Sequence, residues 1–284
     1  MKEKNFDGRE VQLNYAESAL NGPPLLLLHG MSFRWQSFSS LIPKLSEHRH
    51  VYALDFRGHG KSSHEFARYR FQDLVNDTVE FITEYIGKPT TIFGHSLGAA
   101  VGFAAAARLR ERVSSLILAD NFLFHDSMLE ITGLPLLRSM FRGVQGIASV
   151  THTSGEVLQR LVGTTLPLGE GKVTVGELFA GKSGFLAAWA ESIAQLDPKT
   201  VEIFFTPLST EEFDGDTWLR EISCPILLLQ AKPELGGIMP HRDVERVMSI
   251  RPRTAVHRFN LGHMMHMEDA ESIIPIVQGF LDSA

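Results

Sequence analysis

A chain of 284 residues is long enough for about two domains, or for one large domain carrying an insertion. With 44% hydrophobic and 21% charged residues it can bury a sizeable core without disulfide or metal staples, which excludes a disordered chain. Its 27 basic and 33 acidic residues give a net charge of −6, so no basic field draws nucleic acid or an anionic membrane, and neither is expected as a partner. The N-terminal MKEKNFDGREV has no apolar stretch of signal-peptide length. The run at 25–28 is too short to cross a bilayer. The single Cys224, beside Pro225, cannot form an intramolecular disulfide and reads as a small buried apolar residue. The expectation is a soluble cytoplasmic protein.

Short apolar or alternating runs predict strands at residues 11–15, 25–29, 51–54, 90–93, 113–119, 226–230 and 255–259. Helical spacing predicts helices at 35–45, 70–86, 97–109, 241–250 and 268–281. Such alternation implies right-handed crossovers and an α/β fold, a mostly parallel central sheet with helices on both faces. It breaks over residues 121–218, where strand signals largely vanish and apolar residues recur at helical spacing among Gly and Pro. Both ends of that stretch abut buried-strand patterns. It is therefore read as a helical cap inserted into a core of residues 1–120 and 219–284.

The most specific motif is Gly94-His95-Ser96-Leu97-Gly98, a G-x-S-x-G between a β-branched strand run and an Ala-rich helical run. A sharp strand-to-helix turn forces the central Ser into a strained conformation and excludes side chains two residues to either side. It also sets Ser96 at a helix N-terminus, where free N–H groups and the dipole favour a developing negative charge. Three further pieces stand around it: Leu28-His29-Gly30-Met31, Asp55-Phe56-Arg57-Gly58-His59-Gly60-Lys61-Ser62, and Gly262-His263 with Glu268-Asp269. In this order the four motifs resemble the α/β-hydrolase fold family, in its esterase-like, capped branch, over nearly the whole chain.

The resemblance implies a catalytic Ser96 whose proton is taken by His263, on the loop after the last strand run. For the acid that orients the imidazole it points to the loop after residues 226–230, where Glu234 stands in place of the family's usual Asp. Asp120, at the end of the run before the insertion, is the alternative acid. The oxyanion hole is expected from the backbone N–H groups of Met31 and Leu97. The 55–62 motif is read as a structural turn, and Glu268 and Asp269 as acids stabilising the first turn of the final helix. The pair His263 and His266 lacks a third ligand of zinc-site spacing, so no metal is expected, and Ser-based chemistry needs no cofactor.

Ser at position 96 sets aside the epoxide-hydrolase and haloalkane-dehalogenase branches, which use Asp there. None of the four tyrosines, Tyr15, Tyr52, Tyr69 and Tyr85, falls in the inserted stretch where an epoxide hydrolase needs them. The expected function is a serine hydrolase cleaving carboxylic esters of small-to-medium apolar substrates through an acyl-enzyme, with a small molecule as partner. C–C bond or lactone hydrolysis, and a weakly catalytic ligand-binding member, are the alternatives.

Overall fold

A computed structural model describes residues 1–64, 66–67, 69–206 and 212–283. Residues 207–211, within the expected cap, lie outside the described residues. Eight strands form one sheet: β1 (Lys2–Asp7), β2 (Gln12–Glu17), β3 (Pro24–Leu28), β4 (His50–Leu54), β5 (Thr90–His95), β6 (Val113–Ala119), β9 (Ile226–Gln230) and β10 (Ala255–Arg258). The other two, β7 (Thr165–Leu168) and β8 (Gly171–Thr174), form a separate antiparallel hairpin. The sheet order is β1-β2-β4-β3-β5-β6-β9-β10. Only β1–β2 and β2–β4 pair antiparallel, and the remaining ladders are parallel.

The inner strands β3, β4, β5 and β9 are buried along their whole length because both faces are covered, and their two-residue period divides the core. Leu26 and Leu28, Ile92, Leu116 and Leu118, and Ile226 and Leu228 face one layer, with the helices Phe71–Glu80, Leu97–Leu109 and His241–Ile250. Leu25 and Leu27, Phe93, Ile117, Leu227 and Leu229 face the other, with Ile42–Leu45 and Ala270–Ser283. The helices foreseen at 97–109 and 241–250 are present with those bounds, and the other three in altered form. The 35–45 stretch divides into a 3₁₀ turn, Trp35–Phe38, and the short helix Ile42–Leu45, with a Ser39-Ser40 pair between them and Pro43 just inside the second. The 70–86 helix runs as α over Phe71–Glu80 and as π over Phe81–Ile86, ending on Gly87 at φ 65°.

Between β6 and β9 the chain forms helices at His125–Gly133, Pro135–Ala148, Ser154–Gly163, Val175–Leu178, Ser183–Ile193 and Gly215–Glu221, and the β7–β8 hairpin that helical spacing did not foresee. Its beginning and end lie against each other, since a Cβ on Gly215 would stand 1.9 Å from the Leu123 carbonyl oxygen. The buried Asp243 fixes this root by accepting from Leu123 N (2.8 Å) and Ser127 Oγ (2.7 Å). A third apolar cluster includes Val144, Leu161, Leu166, Trp189 and Ile193, and Phe33 and Met264 join it from outside the segment. No helix among the described residues is long and apolar enough to cross a membrane.

Candidate active site

The carboxyl ends of β3, β5, β6, β9 and β10 lie side by side, the edge at which open α/β sheets present their loops to ligands. At the end of β5 Ser96 has φ 52° and ψ −123°, and its N–H reaches back to Ala119 O of β6 (3.0 Å). Both flanking glycines are forced by space. A Cβ on Gly94 would lie 2.2 Å from Gly98 O, and one on Gly98 would lie 2.1 Å from Leu28 O. The alanines of Leu97–Leu109 let that helix press onto the sheet, leaving Ser96 at its N-terminus.

The loop after β3 passes directly over this turn, because a Cβ on Gly30 would be 3.2 Å from Ser96 Cβ. Two buried imidazoles shape it. His29 donates from Nδ1 to Gly30 O (2.8 Å) and accepts Phe56 N–H at Nε2 (3.1 Å). His59 donates from Nδ1 to Arg57 O (3.1 Å) and accepts Ser32 N–H at Nε2 (3.4 Å). Burial holds His29 well below the usual imidazole range and lowers His59 to about 4, so both remain neutral acceptors at neutral pH. Ser32, at φ 62°, also accepts Trp189 Nε1–H from the inserted segment (2.9 Å). The Met31 N–H takes no part in these bonds, and with Leu97 at the first helical position it lines the same cavity as Ser96.

His263 follows β10, and its Nδ1 hydrogen-bonds Asp120 Oδ2 at 2.7 Å. Asp120 is fully buried at the end of β6, at φ 42°. Its carboxylate also accepts from Ala231 N (3.1 Å), Ile238 N (2.9 Å) and Met239 N (3.2 Å). Of the two carboxylates foreseen, it is thus Asp120, the alternative, and not Glu234 that meets the imidazole. Glu234 sits in the 3₁₀ turn Pro233–Leu235, closed by Gly236 at φ 90°, and this tight turn leaves its side chain exposed at the cavity edge. The loop after β9 thus meets the imidazole's partner with amides and not with its own carboxylate. The Ser96 hydroxyl and His263 open into one cavity without a hydrogen bond between them.

His95, between Gly94 and Ser96, donates from Nε2 to His263 O (2.9 Å) and so ties the elbow to the loop that carries His263. Its ring lies 4.7 Å from that of His263 and 4.4 Å from that of His266. His266 is buried against Phe38 with neither ring nitrogen hydrogen-bonded, and burial lowers it to about 3. Glu268 ends the short helix Met265–Glu268; it accepts Gly262 N–H (3.3 Å) and pairs with Lys182 Nζ (3.1 Å). Of the two acids foreseen at the start of the last helix, only Asp269 holds that place, accepting Ser272 N–H (3.2 Å).

The 55–62 motif is a structural turn. Asp55 is buried, accepts from Asn14 Nδ2 and Trp35 N (each 2.7 Å) and is pushed up to about 6 by burial. Arg57 holds Asp77 through two bonds of 2.6 Å. Asp55 and Arg57 belong to the motif read from the sequence, whereas their partners Asn14 and Asp77 stand in no motif.

The cavity above Ser96 has a volume of about 670 Å³. Met128, Ile131, Leu136, Met140 and Phe141 form one part of its wall, and Phe33, Phe179, Phe185 and Trp189 another. Leu129 and Phe205, apolar residues of the same segment, lie outside this lining.

A family model described as alpha/beta hydrolase fold matches residues 23–270. A serine hydrolase-like protein of Homo sapiens is 38% identical over 111 residues, which covers 38% of this chain and 55% of that one. The chain thus spans about half the length of that relative. An (E)-2-((N-methylformamido)methylene)succinate hydrolase of Acinetobacter baylyi is 22% identical over 272 residues, 92% of this chain and 91% of the other. A thermophilic esterase from Thermogutta terrifontis superposes with a TM-score of 0.70 at 18% identity, covering 100% and 99% of the two chains. It attests the fold.

Proposed function

The chain belongs to the α/β-hydrolase fold family, and on that premise we propose that it is a serine hydrolase of neutral, largely apolar carboxylic esters. The observation that carries this reading is the 2.7 Å bond from His263 Nδ1 to a buried Asp120, beside a Ser96 held at φ 52° in the same cavity. In this mechanism His263 takes the Ser96 proton at Nε2 while Oγ attacks the ester carbonyl. Asp120 keeps the Nδ1 proton in place and stabilises the imidazolium.

The Met31 and Leu97 N–H groups receive the oxyanion. The imidazolium then protonates the leaving alkoxide. Water, deprotonated by the same imidazole, returns the acyl-enzyme to acid and free Ser96. The apolar wall contributed by residues 121–218 acts as the cap and favours small-to-medium uncharged acyl groups.

The test is hydrolysis of p-nitrophenyl esters from acetate to palmitate, together with labelling of Ser96 by diisopropyl fluorophosphate. A maximum in kcat/KM below dodecanoate supports the enclosed cavity. A monotonic rise to palmitate indicates an open groove. No hydrolysis and no label would overturn the reading in favour of ligand binding.

A further inference from the structure

Residues that line the cavity and yet reach solvent mark its mouth. Leu168 on the hairpin, Leu178 in the helix Val175–Leu178 and Leu235 on the loop after β9 are 51%, 37% and 52% exposed. One ion pair joins the two sides, Lys182 Nζ to Glu268 Oε1 at 3.1 Å, both residues also lining the cavity. Lys182 immediately precedes the helix Ser183–Ile193, and Glu268 belongs to the stretch that holds His263.

The two halves of this pair are fastened differently. Glu268 is held from behind by Gly262 N–H, and a Cβ on Gly262 would stand 2.8 Å from its Oε1. The helix after Lys182 is fastened near its other end, where Trp189 bonds Ser32, Glu191 pairs with Arg34 and Asp197 N donates to Gly58 O (2.8 Å). Its eleven residues span ~16 Å. At the end nearest Lys182, Phe185 packs on Phe33, and the ion pair, whose lysine is 43% exposed, adds the tie to the stretch that holds His263.

We propose that the Lys182–Glu268 pair is a size-selective gate, which must part for a bulky substrate to reach Ser96 and which small substrates pass with little disturbance. The inference rests on the serine-hydrolase reading and adds to it what limits entry. A part-exposed pair of this kind is weak enough to open in each catalytic cycle, and salt screens it.

The experiment measures the rate of Ser96 phosphonylation in the whole chain by diisopropyl fluorophosphate and by a naphthylmethyl fluorophosphonate, read by intact mass. Lys182→Met should raise the bulky-to-small rate ratio about two- to fivefold, the size expected for one exposed pair. Lys182→Glu should raise it at least as far, and Lys182→Arg should keep the wild-type ratio. Raising NaCl from ~0.02 to ~0.5 M should move the wild type toward Lys182→Met and leave that variant unmoved. Equal ratios in wild type and Lys182→Met, or a salt response shared by both, would overturn the gate. A wild type unlabelled even by the small reagent would instead sink the hydrolase reading, and the gate with it.

Discussion

The two sides of the cavity are built on different principles. On the sheet edge key polar groups are fixed by two or more bonds: Asp120 takes four, His29 two, and Ser32 is gripped from both His59 and Trp189. In the 121–218 segment the wall is mostly Met, Leu, Ile and Phe, placed chiefly by packing. Directional bonds set atoms to within a few tenths of an ångström, as chemistry at one carbonyl requires. Non-directional contacts tolerate substitution, as a binding wall can. Changes at the edge should therefore reduce turnover by orders of magnitude, whereas changes in the wall should shift selectivity.

The largest effect expected is from Ser96→Ala, which should lower kcat about 10⁴-fold or more with the melting temperature retained, measured on a p-nitrophenyl ester. The two carboxylates give a sharper contrast. Asp120→Asn should cost about 10³–10⁴ in kcat, because the imidazole loses the partner that fixes its tautomer. Glu234→Gln should stay within about twofold of wild type. The reverse ranking in steady-state kinetics would return the acid to the loop after β9.

Acid should loosen the edge before the wall. His29, His59, His95 and His266 all have their folded-state proton affinity lowered by burial, so the unfolded chain binds protons first as pH falls below ~6.5. The stability they contribute is complete above that pH and is lost on the way down through their folded values, about 4 for His59 and about 3 for His266. Asp55, raised to about 6, acts in the opposite sense. Asp77 and Asp243, also raised by burial, oppose them as well, so the expectation is a net loss of stability as pH falls from ~6 to ~4, read from urea unfolding at each pH. A flat profile would mean that these imidazoles are not buried neutral.

The smallest effect tests a single neutral hydrogen bond that crosses from the wall to the edge. Trp189→Phe keeps the ring but removes the Nε1–H to Ser32 Oγ bond, and should cost about 1 kcal/mol of stability. It should also reduce kcat several-fold for short esters and long ones alike. A loss confined to long esters would make Trp189 a wall residue only.

How much of this was written in the sequence depended on the kind of constraint. The strands of the parallel sheet were legible because both their faces are buried, and the elbow because only Gly fits at 94 and 98. Which carboxylate meets His263 was not, because a carboxylate's partner is set by how a loop folds back. Even so, Pro233 and Gly236 announce the turn that carries Glu234 outward, and Asp is among the few residues that accept the positive φ found at 120. The hairpin was hidden in strands of four residues, marked only by the Gly169-Glu170-Gly171 turn.

The strand β1 escaped the apolar pattern for a different reason. Of its six residues only Phe6 is buried, and the strand is sewn to its neighbours by charge, with Lys4 paired to Glu17 and Glu3 to Lys61. It is also the outermost strand, so one side of its backbone ladder has no partner within the sheet. A second extended chain approaching that ladder would have to lie among Lys2, Glu3 and Lys4 and strip water from them, a charged fringe that discourages edge-to-edge aggregation. The residues that make β1 a poor strand by hydrophobic period thus serve as its colloidal protection.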